Sequence, residues 1–232
     1  MNDNDLFPLL EDALRTQVVS RCRRAYHHDM KNGLQGIYGG VDALIRAARA
    51  DKPMVIPLDQ LVQFVRQAIS NHEAGLEGVL NHIAPEGEPS AEINLAELMV
   101  ELARFLIADA SRHSVKLRSE LSTPLVTQGN AARLRLAFLA LLTEAIDSVG
   151  TGGEIFVRGE ASETQVTIVI ADTRPPGVDA ADVFALDLGS DRSGDRLVLP
   201  TVRYIVTSSG GSVDCVHLPQ SGRETRIRFP RG

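Results

Sequence analysis

The 232-residue sequence predicts an α+β fold: an antiparallel helical hairpin that pairs into a dimeric four-helix bundle, followed by an α/β sandwich built on a mixed sheet. Three observations carry this expectation. Apolar residues step by three and four along two stretches near the start, a Pro/Gly/Glu-rich segment without periodicity follows, and β-rich runs then alternate with helical ones. The domains so delimited are 1–84 and 93–232.

From Leu6 to Ala50 the residues are helix formers, and beyond Met30 the positions Leu34, Ile37, Val41, Leu44 and Ala48 form an apolar stripe. A second stretch, opened by Pro57 and Asp59, repeats the spacing through Leu58, Val62, Val65, Ile69, His72, Leu76, Val79 and Ile83. The connection ADKPMVIP is short and holds two prolines, so the two helices must run antiparallel. Each keeps an apolar face too long for one hairpin to cover, and a homodimer is the simplest solution. His72 falls on the stripe and reads as a satisfied core histidine rather than a ligand. Gly33, Gly36, Gly39 and Gly40 each cost a helix up to ~1 kcal/mol against alanine, so they mark either a surface for a closely approaching partner helix or tight packing inside the bundle.

The linker APEGEPSAE spans 84–92. After it, Asn94 is placed to cap a helix running to about Ala110, VKLRSEL alternates as a strand, and Asn130 to Val149 reads as an apolar helix. GEIFVRGE and TQVTIVIAD form an antiparallel hairpin about the Ala161 to Glu163 turn. Residues 195–208 are helical in character despite Pro200, and GSVDCVHL with ETRIRFP makes a closing hairpin.

Composition excludes several functions. A net charge of −6 and a pI near 5.5 argue against a nucleic-acid-binding surface. Cys22 and Cys215 are far apart and outside any metal-ligand spacing, so neither a disulfide framework nor a metal site is expected, and a reducing cytoplasm is the expected compartment. No apolar run approaches the ~20 residues that cross a bilayer, and the acidic start lacks a signal-peptide n-region.

The chemistry concentrates at Tyr26-His27-His28-Asp29-Met30-Lys31-Asn32-Gly33-Leu34-Gln35, within the first helix. Imidazole is a nucleophile at neutral pH because its ordinary pKa lies near ~6.5. A carboxylate next to it can hold the ring tautomer, and a polar residue four positions on shares its helical face. The stretch resembles the phosphoacceptor box of histidine kinases, and within them the subfamily whose box reads His-His-Arg-x-Lys-Asn-x-Leu-Gln, with Asp29 in place of the arginine. The resemblance implies that His28 carries the phosphoryl group, with Asp29 as its acid-base partner and Asn32 as the orienting residue. His27 is turned 100° from the face of Asn32.

The second domain resembles the histidine kinase ATP-binding domain, a fold shared with gyrase-type and Hsp90-type ATPases. Leu141-Leu142-Thr143-Glu144-Ala145-Ile146-Asp147 is similar to the Leu-Leu-x-Asn-Ala-x-Glu helix, with Glu144 where the magnesium-binding asparagine belongs. Glutamate can ligate a hard cation, but it adds negative charge beside a triphosphate. Asp172 in Ile170-Ala171-Asp172-Thr173-Arg174-Pro175-Pro176-Gly177 matches the adenine-reading carboxylate, Gly177 stands for the second motif glycine, and the first is absent. Phe184 corresponds to the phenylalanine before the nucleotide lid. In the lid only Gly194 is near its expected turn, and Asp195 sits where phosphate belongs.

The resemblance therefore implies a two-component phosphorelay protein with a degenerate nucleotide site at Glu144, Asp172, Gly177 and Gly194. Its expected activity is that of a histidine phosphotransferase, accepting phosphate at His28 from one response-regulator receiver and donating it to another without a cofactor. Two alternatives stay open. One is a soluble histidine kinase using ATP and Mg2+ through a divergent site; the other is a dimeric module that binds receivers without exchanging phosphate.

Overall fold

The computed structural model of the chain describes residues 3–49, 56–82, 89–121, 124–174, 183–184, 197–217 and 222–232; within the two long helices the side chains of 3–5, 22–29, 47, 71 and 73–82 lie outside the description. The chain divides into two compact units, residues 19–84 and a second unit made of 1–18 together with 85–232.

The smaller unit is the expected hairpin. Helix α1 (Asp3–Ala48) contributes its later turns and α2 (Leu58–His82) returns beside it. Their direction can be read from two glycines: a Cβ at Gly33 would lie 3.1 Å from the His72 ring, and one at Gly40 would lie 2.5 Å from the Val65 side chain. Seven residues forward on α1 match seven back on α2, so the helices are antiparallel, and glycine is what lets them approach this closely. Gly36 and Gly39 have open space at the same distance. Tight packing thus explains two of the four glycines. His72 is half-buried against Gly33, placed on the inner row as expected. The turn at 50–55 lies outside the described residues.

The larger unit is a two-layer α/β arrangement. A five-stranded sheet runs in the order β2 (Lys116–Leu121), β4 (Glu154–Ala161), β5 (Gln165–Asp172), β7 (Arg223–Pro230), β6 (Ser212–His217). β2 pairs parallel with β4 and every other pairing is antiparallel, so the sheet is mixed. One face carries Ile155, Val157, Val166, Ile168, Ile170, Ile227 and Phe229, all buried. Helices α3 (Leu95–Arg112), α4 (Ala131–Val149) and α5 (Val198–Ser208) supply the matching apolar surfaces. Alternation along the strands sends Arg158, Glu160, Arg226 and Arg228 to the other face.

Both predicted caps form: the Asn94 side chain accepts from the Ala96 N–H at 3.1 Å, and Asn130 accepts from that of Arg133 at 2.9 Å. Two corrections concern the boundaries. Ala91 and Glu92, read as linker, belong to a short strand β1 (Ala91–Asn94) paired antiparallel with β3 (Val126–Gly129). A four-residue strand leaves too little periodicity to be seen in sequence. The first eighteen residues, assigned to the hairpin domain 1–84, instead pack with the larger unit, where Leu10, Leu14 and Val18 are buried. A continuous helical pattern cannot say where along its length the helix changes neighbours.

Candidate functional site

In the hairpin, α1 is helical through positions 28 and 29, while the side chains of His28 and Asp29 lie outside the described residues. The helix around them sorts into three rows by its 100° step. Gly33 and Gly40 face α2. Leu34, Tyr38, Val41 and Ile45 form an exposed apolar row, Tyr38 being 69% exposed. The row reached from position 28 by steps of four and three holds Asn32, Gln35 and Gly39, all exposed and polar or small. Position 27 stands seven residues before Leu34 and therefore on the apolar row. On α2, Leu61 and Val65 are buried while Leu58, Val62 and Ile69 are exposed.

In the larger unit, the predicted residues Glu144 and Asp172 are brought together, and two arginines hold them. Asp172 ends β5 and Arg174 follows two residues later. Arg174 Nε donates to Asp172 Oδ1 at 2.7 Å and Nη2 to Oδ2 at 2.6 Å, while its backbone N–H reaches Oδ1 at 3.2 Å. The same guanidinium turns its other edge to Glu144 on α4, with Nη1 to Oε1 at 2.9 Å and Nη2 to Oε2 at 3.2 Å. Arg223, directly across the β5–β7 ladder from Asp172, also hydrogen-bonds Glu144 Oε2. Its Nε stands 3.9 Å from Asp172 Oδ2. Ser148 Oγ donates to Glu144 at 2.9 Å.

Gly222 makes this approach possible. Its φ of +104° is a conformation that side chains resist, and a Cβ there would meet the Asp172 carbonyl at 2.2 Å. Two carboxylates and two guanidinium groups balance to zero charge. The side chain of Asp172 is 1% exposed and that of Arg223 5%, so the cluster is largely withdrawn from water. Burial pushes the Glu144 carboxyl up, but its hydrogen bonds and charge interactions with Arg174 and Arg223 outweigh it, and the net effect holds the group below the usual glutamate range. Burial works against the Arg174 cation too, yet Asp172 and Glu144 together raise its pKa. Both carboxylates accept from guanidinium groups, while the buried Arg223 Nε has no hydrogen-bond partner among the described residues.

Phe184 is buried. Gly177 and Gly194 lie outside the described residues. In the sequence Arg174 stands only as part of the run that follows Asp172, and Arg223 belongs to no motif. The usable signal was the alignment of the closing hairpin, since pairing β5 with β7 places an arginine opposite Asp172.

No protein-family model matches the chain, and no curated protein is similar to it in sequence. Solved structures are similar in shape. The catalytic domain of histidine kinase ThkA aligns with 62% of this chain and 97% of its own length at 20% identity and a TM-score of 0.56. The larger unit has the fold of a histidine kinase catalytic domain. The likeness extends beyond the kinase-type unit: the Acinetobacter baumannii histidine kinase AdeS aligns over 88% of this chain and 98% of its own at 15% identity, TM-score 0.52. ThkA in complex with the response regulator protein TrrA aligns over 98% of this chain and 67% of that one at 17% identity, TM-score 0.54. Among the described residues, no helix of this kinase-like chain is long and apolar enough to cross a membrane.

Proposed function

We propose that the protein is a dimeric histidine phosphotransferase of two-component signalling, taking a phosphoryl group on His28 from one response-regulator receiver and passing it to another. The observation that carries this reading is the closed cluster of Glu144, Asp172, Arg174 and Arg223. In a kinase the carboxylate at Asp172 reads the adenine amino group, so its oxygens must be accessible; here both accept from Arg174. A cation at Glu144 would meet two guanidinium groups already seated there. These occupied carboxylates fit ATP and Mg2+ poorly, which supports another phosphoprotein as the source of phosphate.

ThkA, similar in fold, is known in complex with a response regulator protein, which supports a receiver as the partner here. The exposed row of Asn32, Gln35 and Gly39, on the helical row of position 28, supports a receiver's approach from that side. In the transfer, a ring nitrogen of His28 attacks the phosphorus in line. The N–P bond forms as the P–O bond to the receiver aspartate breaks, and that carboxylate leaves as an anion. Asp29 holds the ring's tautomer and Asn32 orients the incoming group.

The exposed apolar rows Leu34/Tyr38/Val41/Ile45 and Leu58/Val62/Ile69 support a homodimer, because a second hairpin laid against both would complete a four-helix bundle. The deciding experiment mixes the protein with a receiver phosphorylated on its aspartate. Phosphohistidine, stable to base and labile to acid, is expected on the wild type and not on His28→Ala. Binding of the receiver without any acid-labile phosphate would replace this reading with a docking module.

A further inference from the structure

The first turns of α1 are fastened to the kinase-type unit by three kinds of contact at once. Phe7, Glu11, Leu14 and Val18 are spaced by three and four and, with Leu10 beside Glu11, share one side of the helix. Leu10, Leu14 and Val18 are buried. Phe7 stacks on Tyr204 of α5, with ring centroids 4.4 Å apart and planes within 8°. Glu11 receives a forked grip from Arg133, with Nε to Oε1 at 3.0 Å, Nε to Oε2 at 3.2 Å and Nη2 to Oε2 at 2.8 Å. Arg133 also lies 5.6 Å from the centroid of the Tyr204 ring, joining the ion pair to the aromatic stack. It stands in the first turn of α4, the turn that Asn130 caps, so the residue that grips Glu11 is itself well anchored. The hydrogen bonds that Arg133 donates to Glu11 raise its pKa despite burial, as a committed ion pair should.

We propose that residues 7–18 are a strap by which the kinase-type unit holds the start of the acceptor helix, and that this hold, not nucleotide chemistry, is what the unit contributes to transfer. The inference rests on the phosphotransferase reading. Its physical basis lies in α1 itself: Val18 is ten residues before His28 in one uninterrupted helix. That helix carries four glycines after the acceptor, so it depends on docking more than on intrinsic propensity. Anchoring its first turns opposes fraying toward position 28. Glu11 and Arg133 are positioning residues in this scheme; neither touches the reacting atoms.

The test compares the full-length wild type with Glu11→Arg, Arg133→Glu and the double exchange, reading amide hydrogen exchange along α1 and the rate of phosphoryl transfer from a phosphorylated receiver. Each single variant should speed exchange over residues 8–25 by about tenfold or more and slow transfer by a similar factor, since both partners lose an ion pair worth at least a factor of ten. The double variant should recover both. Should a single variant lose its overall fold by circular dichroism, Phe7→Ala supplies the same comparison through the stack. Faster exchange with unchanged transfer would overturn the proposal while leaving the phosphotransferase reading standing. Unchanged exchange in every variant would overturn the strap itself. A wild type that takes no phosphate at His28 refutes both readings, and its exchange profile still reports whether residues 7–18 are held.

Discussion

Arg174 grips Asp172 across both carboxylate oxygens, at 2.7 and 2.6 Å, using a guanidinium that also reaches Glu144 at 2.9 Å. One side chain thus links the two positions that the kinase motifs would devote to adenine and to the metal. Titration calorimetry with ATP and Mg2+ should detect no binding up to about millimolar nucleotide, because a ligand would first have to break these charge-assisted bonds. Magnesium-dependent binding in the low micromolar range would return the chain to the kinase reading.

Removing Arg174 leaves Asp172 and Glu144 with Arg223 as the one guanidinium beside them among the described residues. Arg174→Ala should cost roughly 3 kcal/mol in urea unfolding, the scale for breaking a buried pair from one side. A cycle with Glu144→Ala should show strong coupling: the double variant loses clearly less than the two single losses added together. Additive losses would mean that the two side chains do not act as a unit.

Glu144 has its acidity strengthened on folding, so protonation must be forced on it. Its contribution to stability is complete above the ordinary glutamate value of 4.5 and is lost as pH falls through the depressed folded value. Urea midpoints taken downward from pH 7 should show a fall below about pH 4.5 that Glu144→Gln makes shallower. An identical pH profile in the two proteins would contradict the assignment.

Val65 and Ile69 are one turn apart and should fail differently. Val65 is buried against Gly40, so Val65→Glu should unfold the hairpin. Ile69 is 40% exposed on the row offered to a second copy. Ile69→Glu should keep the helical signal while light scattering reports half the wild-type mass. A monomeric wild type at micromolar concentration would remove the basis for the bundle.

His27 stands on the helical row of Leu34 and Val41, and His28 on that of Asn32, Gln35 and Gly39. Since only the second row is exposed and polar, His27→Ala should retain most phosphoryl transfer from a receiver while His28→Ala abolishes it. Wild-type phosphorylation in His28→Ala would show that the acceptor is another residue.

Much of this architecture is local and could be read without coordinates. The three-and-four spacing of α1 and α2, the caps Asn94 and Asn130, and the alternating runs of β4 through β7 depend on residues close in sequence, so the helices, the hairpins and the α+β class were legible. So was the likeness to histidine kinases, because its motifs are short contiguous runs. Other features needed the tertiary structure, each because it joins residues distant in the chain. Strand β1 exists because β3 lies beside it, and its four residues carry no pattern of their own. Gly33 and Gly40 differ from Gly36 and Gly39 only in which side of α1 meets α2. The strap depends on Glu11 finding Arg133, 122 residues away. At the degenerate site the motif runs already showed glycines and an asparagine to be missing. That Arg223 stands beside Asp172 was decided by the β5–β7 register, and that Arg174 also reaches Glu144 by where α4 lies against the end of β5, because an arginine becomes a counter-ion only when the fold puts a carboxylate within its reach.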